Sequence, residues 1–138
     1  MMKINREQLC QLAREAAKNA HVPYSHFHVG AAILAENGKV YTGCNVENAS
    51  FGLTICAERN ACTTMAADGQ RSIQAVAIYG GGRAGDAAPC GACRQFLLEF
   101  VRDLGATPVY LTGQSGEIVA TTMEELCPYP FQSFVPDA

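Results

Sequence analysis

The sequence predicts an α/β protein with a mixed sheet of about five strands and helices packed on its faces. Three observations carry this. Apolar residues recur at helical spacing near the N-terminus, Asn37-Gly38 separates two strand-like runs, and Ile73 to Tyr79 is a continuous apolar run of strand length.

Each element has its own signal. Between Ile4 and Ala20, Leu9, Leu12, Ala13, Ala16, Ala17 and Ala20 fall on one helical face, with Asn5 suited to the N-cap and Pro23 blocking continuation. Tyr24 to Phe27 reads as a loop. Val29–Ala35 and Lys39–Cys44 flank Glu36-Asn37-Gly38, and Asn-Gly is a strong hairpin signal. Asn45 to Asn48 follows directly, which sets its polar groups at a strand's end. A helix is expected from Cys56 to about Ala67, closed by Asp68-Gly69. Ile73–Tyr79 suits a central strand buried on both faces. A further helix should start near Cys90 and carry Phe96, Leu97, Phe100 and Val101 inward. Pro108–Thr112 and Ile118–Thr121 are short strands, with Gly113 and Gly116 marking the turn between them. Thr122 to Glu125 has the form of a capping box before a short final helix.

Length and composition bound the function. The 138 residues are expected to form one domain, 1–138, and 49% hydrophobic content is enough for a full core. A net charge of −3 argues against a surface that tracks phosphates, so no nucleic-acid partner is expected. No segment approaches the roughly 18 consecutive apolar residues of a membrane span. Charges at Lys3, Arg6, Glu7, Arg14 and Glu15 interrupt any leader-like apolar run, so a cytoplasmic protein is expected. Seven cysteines, an odd number, fit reduced thiols with a subset on a metal better than a disulfide framework. Cys10, Cys44, Cys62 and Cys127 lack ligand-like spacing and read as small core residues.

The chemistry concentrates in two blocks, Cys56-Ala57-Glu58-Arg59 and Pro89-Cys90-Gly91-Ala92-Cys93-Arg94-Gln95. Three protein ligands with a fourth position free is how a catalytic zinc is held. Cys56, Cys90 and Cys93 fall at predicted helix N-termini, where the macrodipole favours thiolate. Three thiolates on Zn²⁺ leave a net charge of −1. The helix ends and Arg59, hydrogen-bonded to ligand sulfurs, are expected to offset it. Glu58, two residues from a ligand, is placed to move protons without being a ligand itself. Some alternatives stand beside this reading. A fourth ligand from Cys62, His21, His26 or His28 would close the metal as a structural site, and Arg94 reads as surface charge.

The Cys-x-Glu and Pro-Cys-x-x-Cys blocks, with Cys in the usual His position, match the zinc deaminase signature. With Tyr24–Ala32, Gly43–Ala49 and, more loosely, Glu125–Phe131, they make nearly the whole chain resemble the small homotetrameric cytidine deaminases of pyrimidine salvage. The resemblance implies a three-layer α/β/α sandwich, one Zn²⁺ per chain on Cys56, Cys90 and Cys93, and Glu58 as proton shuttle. It also implies a homotetramer with active sites at subunit interfaces. Asn45 and Glu47 would bind the ribose, chiefly its 3′-hydroxyl, and Phe27 would line the base pocket. The backbone of Ala57 would contact the pyrimidine edge, and Phe131 would stack on the base in a neighbouring subunit. Read without the family, Asn45 is a turn former, Glu47 a solvated acid, and both aromatics plain core residues.

Three positions depart from the family pattern. His28 stands where Pro is common and bears on the rigidity of the loop beside Phe27. Cys127 replaces a usual Leu. Tyr129 and Pro130 crowd the approach to Phe131, which leaves open whether Phe131 or Phe134 stacks.

The expected reaction is deamination of cytidine and 2′-deoxycytidine. Action on a modified nucleoside such as blasticidin S, editing of cytosine in RNA or DNA, and a non-catalytic zinc-stabilised binding module are the alternatives.

Overall fold

The structure is a computed structural model that describes residues 3–132. The first helix, α1 (Arg6–Ala17), is capped by Asn5: its side chain accepts from the Gln8 N–H at 2.8 Å, and the Gln8 side chain accepts from the Asn5 N–H at 3.0 Å. This reciprocal pair satisfies two of the four donors that a helix start leaves free. The helix stops at Ala17, and the apolar spacing read as far as Ala20 ends in a turn. Strands β1 (Val29–Ala35) and β2 (Val40–Cys44) form the hairpin, with Gly38 at φ 86° where the turn requires a left-handed residue.

Helix α2 (Ala57–Ala67) is followed by β3 (Ile73–Gly80), α3 (Gly91–Leu98), β4 (Pro108–Thr112), β5 (Ile118–Thr122) and the short α4 (Met123–Leu126). The sheet order is β2-β1-β3-β4-β5, parallel only between β3 and β4. This is the expected mixed five-stranded sheet, with β3 in the centre and only Gln74 of that strand exposed.

Two apolar layers sandwich the sheet. On one face α1 sets Leu9, Cys10, Ala13 and Ala17 against Ala32, Ala75, Ala77 and Tyr79. On the other, Ala61, Cys62 and Met65 of α2 and Leu97 and Leu98 of α3 meet Ile33, Val76, Ile78 and Val109. Burying a side chain such as Leu98 contributes about 1.5–3 kcal/mol. Burial pushes the Cys10 thiol up to about 11 and the Cys62 thiol up to about 12.

The inward face of α3 differs from the expectation. Leu97 and Val101 are buried, but Phe96 is 37% exposed and Leu98 takes the inward place. The helix ends at Leu98, so Phe100 and Val101 lie beyond it, yet Val101 joins the same core as Leu97 and Phe100 packs against it, as expected. The Phe100 carbonyl also accepts from Ile73 N–H at 2.9 Å, which ties this turn to the start of β3. The Thr122 hydroxyl accepts from Glu125 N–H at 3.2 Å, supplying the capping half of the expected box at α4.

Helix-to-sheet spacing depends on two glycines. A Cβ at Gly30 would stand 1.9 Å from the Ala13 carbonyl oxygen of α1, and one at Gly43 would stand 2.4 Å from the Ala61 nitrogen of α2. Both obstacles are backbone atoms and cannot swing aside. Gly30→Ala and Gly43→Ala are each expected to destabilise the fold by at least about 3 kcal/mol, read by chemical denaturation. A full-length variant melting with the parent would contradict this account.

A pH effect follows from the end of α2. Tyr41 donates its hydroxyl proton to Asp68, and the bond holds that carboxyl below its ordinary 3.8, with Lys39 at 3.6 Å assisting. A lowered acid pKa stabilises the fold above the unfolded value and loses that contribution as pH falls through the folded one. Tyr41→Phe should therefore melt below the parent at neutral pH, and thermal scans should show the gap closing below pH 3.8.

Candidate active site

The register explains why the two cysteine blocks meet. Gly30 pairs with Cys44, and Val29 pairs with Gly80, so β2 and β3 leave the sheet at the same end. From there one connection runs to Cys56, the N-cap of α2, and the other to Cys90, the N-cap of α3, with Cys93 inside the first turn. Both helices thus start beyond the same end of the sheet, the end at which α/β sheets commonly bind ligands. Val46 and Ile55 bridge through two hydrogen bonds of 2.9 Å, which brings the Asn45–Glu47 stretch alongside the run into Cys56.

The Sγ atoms of Cys56, Cys90 and Cys93 all lie within 4.8 Å of one another, and those of Cys90 and Cys93 are 3.5 Å apart. Tetrahedral zinc with Zn–S near 2.3 Å needs sulfurs about 3.8 Å apart, so this donor set fits zinc. Among the described residues the group includes no fourth His, Cys, Asp or Glu. Cys62 is buried in the core, and His28 Nδ1 lies 3.0 Å from the Ala17 carbonyl. His21 pairs through its backbone with Val46.

Charge is unevenly shared among the thiols themselves. The hydrogen bond from Cys93, helped by the Arg59 guanidinium, pulls Cys56 down to about 5. Cys93, donating that bond and fully buried, is pushed up. Arg59 Nη2 donates to the Thr54 carbonyl at 3.2 Å and approaches Cys56 Sγ at 3.6 Å. Its Nε is buried without a partner among the described residues. Glu58 is 4% exposed, and desolvation raises its carboxyl above the ordinary range. A carboxyl that burial makes readier to hold its proton suits a group that takes and returns one.

The residues read as substrate contacts also organise the chain itself. Asn45 donates through Nδ2 to the Phe27 carbonyl at 2.9 Å and accepts from Val29 N–H at 3.0 Å. Glu47 accepts from Tyr24 N–H at 3.0 Å, from Ser25 N–H at 3.1 Å and from the Ser25 hydroxyl. These bonds hold its pKa down, the Ser25 hydroxyl foremost. Glu47 is thus a loop anchor and not merely a solvated acid. Tyr24, Ser25, Glu47, Phe51 and Thr54 line an open cleft of about 290 Å³. Phe27 is 37% exposed against Gly80, and Ala57 is fully buried.

The Phe131 ring is largely exposed, and its carbonyl accepts from Gln95 Nε2 at 2.7 Å. Tyr129 adopts φ 50° and turns fully outward. Phe134 lies outside the described residues. Arg94 is not the surface charge that the sequence suggested. It is half-buried and donates to the carbonyls of Pro89 and Leu126. No local sequence signal marks such bonds to carbonyls. Ser25, bonded to Glu47, and Asn60, which donates to the Cys44 carbonyl at 2.8 Å, carry no sequence signal of their bonds either.

With this geometry in place, the comparisons with known proteins agree. The family model of the cytidine and deoxycytidylate deaminase zinc-binding region matches residues 3–105. A cytidine deaminase of Sporosarcina psychrophila is 46% identical over 91% of this chain and 90% of its own length. One from Halalkalibacterium halodurans is 42% identical over 93% of this chain and 95% of its own. The crystal structure of cytidine deaminase from Burkholderia pseudomallei superposes with a TM-score of 0.84 at 41% identity, covering 93% of this chain and 100% of that one. Three thiols within metal-binding reach, a buried acid beside them and likeness along nearly the full length together establish that this chain belongs to the cytidine deaminase family and is an enzyme of that type.

Proposed function

We propose that the 138 residues form one catalytic domain that hydrolyses cytidine and 2′-deoxycytidine to uridine and 2′-deoxyuridine with release of ammonia, in cytoplasmic pyrimidine salvage. The observation that carries this is the meeting of three thiols and the buried Glu58 carboxyl at two helix N-termini. Cys56, Cys90 and Cys93 would hold one Zn²⁺ per chain. When bound, zinc supplies the Lewis acidity that makes water nucleophilic near neutral pH.

The remaining work falls to side chains. Glu58 takes a proton from the attacking water and gives it to N3 as the water oxygen bonds to C4 of the base. It then carries the second water proton to the exocyclic amine, which leaves as ammonia while the C4 carbonyl forms. Arg59 balances sulfur charge. The backbone of Ala57 contacts the pyrimidine edge, and Phe27 walls the base.

Asn45 and Glu47 bind the ribose, and their free valences support this. One Nδ2 hydrogen of Asn45 remains beyond its bond to Phe27. A carboxylate has about four acceptor sites, and three bonds to residues 24 and 25 leave Glu47 one for a hydroxyl.

The exposed apolar residues support a homotetramer. Phe51 is 72% exposed, Leu53 65% and Phe131 69%. Large apolar side chains left this exposed suit surfaces that another copy covers. We assign Phe131 to the base pocket of a neighbouring copy. Among the described residues no helix is long and apolar enough to cross a membrane.

The direct test incubates purified, metal-analysed protein with cytidine, 2′-deoxycytidine, CMP and cytosine, following ammonia and pyrimidine absorbance. Turnover of both nucleosides, but not of the free base or the nucleotide, is the expected outcome. No turnover with about one zinc per chain bound would overturn the reading. Glu58→Gln should lower kcat at least about 10²-fold while keeping metal and fold; full retained activity would remove the role given to Glu58. Glu47→Gln should raise KM for cytidine about tenfold, read by steady-state kinetics.

A further inference from the structure

Arg94 and Gln95 close the Pro89–Gln95 run, and the chemistry above gives neither a task. Arg94 Nε donates to the Pro89 carbonyl at 2.8 Å, one residue before the ligand Cys90. Its Nη1 donates to the Leu126 carbonyl at 3.0 Å, at the end of α4. A carbonyl at a helix C-terminus has no partner within its own helix and must find one elsewhere. Among the described residues no carboxylate lies within ion-pair distance of Arg94, so two carbonyls hold this guanidinium. Its rigid fork of donors lets one side chain serve both. Next to it, Gln95 Nε2 donates to the Phe131 carbonyl at 2.7 Å, and Gln132 Nε2 donates to the Val101 carbonyl at 3.0 Å. From the end of α4 onward the chain is therefore fastened at residues 126, 131 and 132 to α3 and the turn that follows it.

We propose that Arg94 and Gln95 are positioning residues that strap segment 126–131 to α3, so that the Cys90 turn and the Phe131 backbone keep a fixed spacing. The idea rests on the reading above that Phe131 is presented to a nucleoside base. One helix then serves two sites: its N-terminus carries ligands for its own copy, and its exposed side aims an aromatic at the next. Arg94 acts mainly on the ligand turn and the start of the tail, Gln95 on its far end.

Gln95→Glu is the first test. It keeps the shape of an exposed side chain and removes the donor, since a carboxylate cannot donate to the Phe131 carbonyl. The expected result is a KM for cytidine raised about three- to tenfold, the loss of one hydrogen bond, with a smaller change in kcat. Backbone hydrogen exchange across residues 126–132 should quicken. A residue that only filled space would tolerate Glu on both counts. Arg94→Lys keeps the charge but has no fork to span two carbonyls; it should show the same exchange change and release zinc faster to a chelator. Unchanged KM and unchanged exchange in both variants would overturn the proposal. Should the parent protein fail to deaminate cytidine, the proposed function falls by itself, and the exchange measurement still decides whether the strap exists.

Discussion

Three thiols stand within 4.8 Å of one another because two helices begin at the same end of one sheet. Cys56 is the last extended residue before α2, and Cys90 is the last before α3, so each thiol's position is set by where a helix starts. Those starts are fixed by packing of the helices on the sheet. At Gly43 the α2 backbone comes so near β2 that no side chain fits between them, and Leu97 and Leu98 seat α3 on the same face. A small tilt of either helix would open the crevice by ångströms, and a metal site tolerates only tenths. Much of the fold acts as a spacer between two helix ends.

Electrostatics at that point runs against ordinary burial. A carboxyl that is 4% exposed lies close to a set of thiols that must shed protons to bind metal. The two helix N-termini supply backbone N–H groups and partial positive charge. Arg59 adds a full positive charge, steered toward Cys56 by its bond to the Thr54 carbonyl. Desolvation raises Glu58, while three hydrogen bonds to the Tyr24–Ser25 loop lower Glu47. Two glutamates in one short chain are thus driven apart, one toward proton exchange and the other toward a permanent charge.

What the sequence made legible followed from periodicity and from motif spacing. The Asn37-Gly38 turn, the unbroken apolar run of β3 and the Asn5 cap all lie in contiguous residues whose local physics agrees with the final fold. The inward face of α3 was misread because an eight-residue helix spans barely two turns, too few to fix a phase, and Phe96 gave way to the smaller Leu98. The double duty of Asn45 and Glu47 stayed hidden for another reason. All but one of their partners, the Ser25 hydroxyl, are backbone groups about 16 to 23 residues away, and every residue carries such groups, so no pattern of residue types announces the bonds. Arg94 escaped in the same way, since both of its acceptors are carbonyls.

The buried cysteines carry a consequence for survival under oxidation. Thiolate, not thiol, reacts with peroxides and alkylating agents. With Cys62 pushed up to about 12 and Cys10 to about 11, hardly any of either is thiolate at neutral pH, and core side chains shut both away from solvent. They weather oxidants as inert filler. The thiols that oxidants can reach lie elsewhere: Cys90 is exposed, and Cys44 and Cys127 are partly so. Oxidation at those positions leaves the two core thiols, and the packing around them, as they were.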